Sequence, residues 1–343
     1  MIKAIYNKKK LILKDDWLKE LSNSIINPLD LLKYLKLDHN QDLLHGMKAN
    51  KLFSFRVPMF FVNLMEKGNA KDPLFLQIFT RYEEMIQSTK FFKDPLKENS
   101  NKKKYYGFIK KYKNRLLILL KGNCATNCRY CFRRHFPYPK HTLNTERWNY
   151  IYKYINKNKN INEIILSGGD PLMAKDKLLD IVITHLEKIS HLNTLRIHTR
   201  LPTLLPVRMT RFLCDRLISC SLNIVLVTHI NHYREISDEF QKKIIYLRDS
   251  RVILFNQSVL LRDINDNAET LLKLHKKLFN LGIIPYYLHL LDKVQGAAHF
   301  NVPETKAKKI MLKLLENSPG YLVPKLVKEV PGEKNKILIN LNS

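Results

Sequence analysis

Residues 115–131 read RLLILLKGNCATNCRYC. The apolar run over 115–120 predicts a strand. It leads straight into Cys124-Ala125-Thr126-Asn127-Cys128-Arg129-Tyr130-Cys131, a loop with C-x3-C-x2-C spacing. Further apolar runs follow at 161–166, 194–198, 222–228, 252–256 and 283–288. Stretches of helical length lie between them at 145–156, 175–189, 208–218, 233–247 and 268–278. Strands alternating with helices predict repeated βα units and a parallel sheet, curled by right-handed crossovers into an open or closed barrel.

The placement of polar residues sharpens this reading, because parallel β/α barrels carry their chemistry at the C-terminal ends of the strands. The first run leads to Cys124, the second to Ser167-Gly168-Gly169-Asp170 and the third to His198-Thr199-Arg200. The fourth ends near His229 and His232, the fifth at Asn256-Gln257-Ser258, and the sixth at His289 and Asp292. One rim is expected to carry a site. Upstream, residues 1–104 read as a mainly helical region, with helical texture at 16–36, 51–67 and 74–85 and a Lys-rich link over 99–104. The barrel is expected over 105–300 and a C-terminal segment over 301–343.

The chain has 343 residues, 45% of them hydrophobic and 26% charged, an ordinary globular balance. The charge is less ordinary, with 59 Lys and Arg against 31 Asp and Glu, a net +28. Such a field attracts polyanions. However, 43 of the 59 basic residues are Lys, whereas phosphate recognition favours the planar fork of Arg. We therefore read the excess as Lys on solvated faces and expect no specific nucleic-acid partner. No apolar run approaches the ~18 residues of a spanning helix, and the basic N-terminus has too short an apolar stretch for a secretory signal. A cytoplasmic protein without a membrane partner is expected. Three of the five Cys cluster within one loop, which in a reducing compartment points to metal or redox work. Cys214 and Cys220 read as buried apolar residues.

Structural zinc usually takes four protein ligands in paired spacing, and no second pair accompanies the loop. Three thiolates on one loop instead suit three irons of a cubic 4Fe–4S cluster. The fourth iron is then open to a chelating substrate. Gly168 and Gly169 would let backbone approach a ligand closely, although Gly-Gly-Asp-Pro by itself is only a turn signal.

The cysteine loop after the first barrel strand resembles the radical S-adenosylmethionine superfamily. That resemblance implies a partial (β/α)6 barrel of the α/β class. It also implies S-adenosylmethionine chelated to the open iron and cleaved to a deoxyadenosyl radical, with Ser167, Gly168, Gly169 and Asp170 at its methionine moiety. The segments Arg129–Phe136, Ser167–Leu172, Asn256–Leu261 and Tyr286–Phe300 are similar to lysine 2,3-aminomutases, which also use pyridoxal 5′-phosphate. The similarity runs through almost the whole chain. It is closest to the aminomutases that serve (R)-β-lysylation of elongation factor P. The larger, free-lysine enzymes have a longer C-terminal region with extra Cys, while this chain stops at Ser343.

The resemblance also implies roles for single residues. Pro331-Gly332-Glu333-Lys334-Asn335-Lys336 matches the ends of a Gly-rich loop that closes on the pyridoxal phosphate lysine. Lys336 is the expected attachment point, and Lys334 competes because Glu333 and Lys334 stand where small residues are usual. Arg133 matches the residue that binds the substrate α-carboxylate. Asp292 and Glu329 match the acidic pair that grips the ε-ammonium. Arg115 is expected at the cofactor phosphate and His229 at the adenosyl group. The implied reaction is (S)-α-lysine to (R)-β-lysine, with lysine as substrate, an external electron donor, and the elongation factor P lysyl-ligase and elongation factor P downstream. Two other functions compete with it. One is a stand-alone amino-acid 2,3-aminomutase of lysine metabolism; glutamate is disfavoured as its substrate, because Asp292 and Glu329 would repel a second carboxylate. The other is a basic iron–sulfur protein that binds RNA.

Overall fold

A computed structural model describes residues 16–99 and 107–341. The expected N-terminal boundary at 104/105 and the basic stretch 1–15 lie outside the described residues. Nine strands form one sheet in strict chain order. They are β1 (Phe108–Ile109), β2 (Arg115–Lys121), β3 (Glu163–Gly168), β4 (Thr194–Thr199), β5 (Asn223–Thr228), β6 (Ile253–Val259), β7 (Ile284–His289), β8 (Lys325–Lys328) and β9 (Ile337–Leu338). Pairing is parallel from β2 through β8 and antiparallel at both ends. The first and last strands do not pair, so the barrel is open, as the partial-barrel expectation requires.

Each expected strand is present within about three residues of its predicted span, β6 running three residues further than expected. The alternating helices follow: Thr145–Lys157, Asp176–Glu187, Arg211–Ile218, Asp238–Arg248 and Ala268–Asn280. Local chemistry starts them. The side chains of Asn144, Thr210, Ser237 and Asn267 each accept a backbone N–H from the first turn of the helix they precede, satisfying a donor that the helix cannot. Strands such as β3 are buried along nearly their whole length, because helices cover one face and the lumen packs the other.

Two features depart from the sequence reading. The sheet has seven parallel strands, not six, because the C-terminal segment does more than cross the mouth: β8 joins the sheet beside β7. A small apolar cluster including Leu288, Val302, Ala307, Leu326 and Ile339 anchors it under helix Glu304–Asn317. The region 16–99 is less helical than expected. The stretches 51–67 and 74–85 contain only the one-turn α-helices Met59–Val62 and Pro73–Leu76 and short 3-10 turns, with Pro58, Gly68 and Pro73 interrupting them. These pieces still pack into the barrel's main core, through Trp17, Leu31, Phe61 and Phe75.

Candidate active site

The cysteine loop is held from below by the N-terminal region. Arg129 is fully enclosed. Its Nε and Nη2 donate to the Glu84 carboxylate at 2.9 and 2.6 Å, its Nη1 to the Phe53 carbonyl at 2.7 Å, and its backbone N–H to the Gln77 carbonyl at 2.9 Å. Arg134 donates to the same Glu84 carboxylate at 2.7 Å. Thr126 and Asn127 tie the other side of the loop to the Arg56 and Ser54 carbonyls, at 2.7 and 2.8 Å. A loop with little regular structure thus acquires a fixed shape from buried charge-assisted bonds.

The three thiols share one environment. Burial pushes Cys124 well up, and Asp170, Cys131 and Cys128 add to that. Burial, with Cys128 beside it, raises Cys131 to about 11. Buried thiols that oppose one another's ionisation release protons readily only to a cation that takes the thiolates as ligands. The donor set therefore suits an iron cluster held jointly. Among the described residues, no three His, Cys, Asp or Glu side chains converge as they would on a single metal ion.

The glycine pair has a reason that the sequence reading missed. Gly168 has φ +129°, and a Cβ there would stand 2.1 Å from the Lys121 carbonyl oxygen; at Gly169 it would stand 2.5 Å from that of Asn123. The backbone approaches the start of the cysteine loop itself, and Gly169 and Asp170 donate N–H to those two carbonyls at 2.7 and 3.0 Å. Asp170 is likewise used internally. It accepts from the Thr199 hydroxyl at 2.8 and 2.9 Å and from the backbone N–H of Arg200, Leu201 and Leu172 at 2.8, 3.0 and 2.9 Å.

His229 is also occupied. Tyr130 Oη lies 2.9 Å from its Nε2, and the ring also bonds the Gln257 backbone. Burial, then Arg200, lowers it to about 3, so the ring is neutral.

The C-terminal hairpin builds the opposite wall. Val327 pairs with Leu338 and Lys328 with Ile337. The next pair in that register is Glu329 and Lys336, whose side chains form an ion pair; Lys111 pairs with the same carboxylate. Burial opposes ionisation of Glu329, but Lys336 and Lys111 outweigh it and hold the carboxyl at about 2. Asp292, just beyond β7, forms no ion pair among the described residues: burial and the neighbouring Glu329 outweigh the pull of Lys336 and Lys111 and raise it to about 7. Lys334 is exposed and does not line the cavity.

Arg133 makes a two-pronged pair with Glu98, at 2.8 and 2.9 Å through Nε and Nη2. Its Nη1 is not used in that pair. Arg115 lies 3.9 Å over the Tyr112 ring, and its Nε, without a hydrogen bond, stands 3.8 Å from the Glu163 carboxylate.

The three cysteines, Ser167–Asp170, Arg115, Arg133, His229, Asp292, Glu329 and Lys336 line one cavity of about 910 Å³, whereas Lys334, His232, Asn256 and Ser258 do not. The cavity is deeper than a rim: it runs from the cysteine loop down the lumen to Arg115, at the start of β2. The sequence reading missed Glu98 and Lys111, which lie in irregular segments without a motif. It placed Arg200 on the rim, in His198-Thr199-Arg200, without giving it a role.

A family model of the radical SAM superfamily matches residues 118–275, from β2 into helix Ala268–Asn280. The chain is 50% identical over 329 residues to the L-lysine 2,3-aminomutase of Buchnera aphidicola subsp. Baizongia pistaciae, covering 96% of each chain. The chain belongs to the lysine 2,3-aminomutase family. The L-lysine 2,3-aminomutase of Escherichia coli (strain K12) is 48% identical over 328 residues, covering 96% of this chain and 95% of that one. That of Haemophilus influenzae is 49% identical over 325 residues, covering 95% and 96%. The protein is thus a radical SAM isomerase. The family's cofactors are a 4Fe–4S cluster, S-adenosylmethionine and pyridoxal 5′-phosphate. Among the described residues, no helix is long and apolar enough to cross a membrane.

Proposed function

We propose that this aminomutase converts (S)-α-lysine to (R)-β-lysine and supplies the product for modification of elongation factor P. One observation carries the substrate: Arg133, Asp292, Glu329 and Lys336 line the same cavity as the three cluster cysteines. That combination presents a cation for a carboxylate, two anions for an ammonium and an amine for a carbonyl cofactor.

When bound, the cluster with S-adenosylmethionine supplies a hydrogen-abstracting radical, and pyridoxal phosphate delocalises the substrate radical. The protein's task is to hold and orient. Cys124, Cys128 and Cys131 ligate three irons. The Ser167–Asp170 turn, fixed through Asp170, shapes the adjoining wall. Lys336 carries pyridoxal phosphate, and its ion pair with Glu329 aims its Nζ toward the lumen. The N–H groups of Arg133 not engaged by Glu98 receive the α-carboxylate, and Glu98 keeps the guanidinium in one orientation. Asp292 and Glu329 receive the ε-ammonium. Enclosure in the lumen keeps water from the reactive species.

Anaerobic reconstitution with lysine, S-adenosylmethionine and a reductant should yield β-lysine, identified by mass spectrometry. Deoxyadenosine without a β-amino product would overturn the reading. The elongation factor P assignment rests on the full-length resemblance to that subgroup. It is tested separately: elongation factor P from cells lacking this protein should lose the mass of a β-lysyl group, and an unchanged mass would leave a stand-alone aminomutase.

A further inference from the structure

The motif His198-Thr199-Arg200 at the end of β4 is not accounted for by the roles above. Arg200 is 7% exposed; both of its Nη atoms are hydrogen-bonded, while its buried Nε is not. Nη1 donates to Cys128 Sγ at 2.8 Å and to the Tyr130 hydroxyl at 2.7 Å. Nη2 donates to Gln77 Oε1 at 2.7 Å and to Glu235 Oε2 at 3.0 Å. The backbone N–H of the same residue donates to Asp170. Arg200 therefore joins the cysteine loop, the Ser167–Asp170 turn, the loop after β5 and the N-terminal region at one point.

Its aim is set by Glu235, which is entirely buried. The other oxygen of that carboxylate accepts the backbone N–H of Asn231 and His232, both at 3.0 Å, and Gln77 Nε2 at 3.1 Å. Glu235 cannot swing away without leaving buried donors unpaired. Tyr130, which accepts from Arg200 and from Asn231 Nδ2 at 2.6 Å, closes the network. The other thiols differ. Cys131 is supported by the backbone of Arg133, which no side-chain substitution removes. Cys128 Sγ accepts its hydrogen bond from a side chain, that of Arg200.

We infer that Arg200 is a positioning residue for the iron–sulfur cluster: its N–H···S bond holds the Cys128 thiolate and favours the cluster's reduced, more negative state, and Glu235 moderates that bias by neutralising the guanidinium. Hydrogen bonds to cluster sulfurs and nearby charge set the potential of such clusters. Both act strongly in a buried, low-dielectric setting. The inference rests on the cluster reading and adds a specific lever to it.

The two buried charges should shift the cluster in opposite directions. Arg200→Gln removes the positive charge and the guanidinium bond to sulfur, so reduction becomes harder. Glu235→Gln removes the opposing negative charge and keeps the arginine, so reduction becomes easier. The measurement is an anaerobic redox titration of the reconstituted, full-length protein, followed by electron paramagnetic resonance, with iron and sulfide determined on the same samples. Each variant should keep about three-quarters or more of wild-type iron, since all three cysteines remain, as judged against the usual four-iron stoichiometry. The Arg200→Gln midpoint should fall by at least a tenfold change in the reduction equilibrium, about 59 mV for one electron, and the Glu235→Gln midpoint should rise. Unchanged midpoints, or shifts of the same sign, overturn the inference. If Arg200→Gln does not fold, Glu235→Gln decides alone: a raised midpoint supports the inference and an unmoved one overturns it. Absence of iron from the wild type would instead defeat the cluster reading itself.

Discussion

Asp292 and Glu329 line one cavity, but they stand in opposite electrostatic conditions. Glu329, held at about 2 by two ammonium partners, stays ionised at any working pH. Asp292, at about 7, is close to half protonated near neutrality. An ε-ammonium entering beside it should draw it to the carboxylate. Lysine binding should therefore weaken as pH falls below about 7, seen as a rise in KM for lysine. Asp292→Asn should abolish that pH dependence and reduce lysine use by orders of magnitude, because an unmatched buried charge costs about 3–5 kcal/mol. Steady-state kinetics with lysine and norleucine across this range checks it; a variant with wild-type KM and selectivity would place the ammonium elsewhere. Lys336 and Lys334 are separated by a chemical test. Borohydride reduction and peptide mapping should tag Lys336, which lines the cavity, while the exposed Lys334 remains unmodified. The candidate lysines could not be separated by composition, with 43 to choose from. The hairpin register separates them by placing Glu329 across from Lys336.

At the scale of elements, the barrel strands and helices were legible because period and length encode them. The cysteine loop was legible by its spacing. The supports of that loop were not, since Glu84, Phe53 and Gln77 are distant in sequence and act through single bonds. The strands β8 and β9 were missed for a related reason: four and two residues carry too little pattern to stand out. These supports predict distinct failures. Glu84→Gln leaves two enclosed arginines, Arg129 and Arg134, without their shared counter-charge. It should destabilise the fold by about 3–5 kcal/mol and lower iron retention, measured by denaturant unfolding and iron analysis. Gly168→Ala should be worse than an ordinary surface change, because it combines a left-handed φ with a Cβ 2.1 Å from a carbonyl oxygen. A soluble variant with full iron content would show that β3 can shift away from the cysteine loop.

Across the whole molecule, buried histidines set the response to acid. Burial lowers His229, His289 and His299 to about 3 and His232 and His275 to about 4. In the unfolded chain each returns to about 6.5, so between these values the unfolded state binds more protons. The stability they contribute is present above about 6.5 and is lost as pH falls toward 3–4. Asp292 works the other way. Its folded value, about 7, lies above its ordinary value of 3.8, so its contribution is complete at low pH and is lost as pH rises through about 7. His198, His135 and His141 are lowered by burial too, and these histidines outnumber the two carboxyls that burial raises, Asp292 and Asp170, which leaves acid as the destabilising direction. Protein prepared without cluster or pyridoxal phosphate should thus melt at progressively lower temperature as pH falls from about 6.5 to about 5. Asp292→Asn, which lacks the opposing contribution, should show a steeper fall over the same range. Thermal melts by circular dichroism at several pH values test both statements. A melting temperature that holds steady or rises on acidification would mean that these imidazoles are protonated in the fold, and with them the neutral His229 that Tyr130 and Gln257 require at the cavity wall.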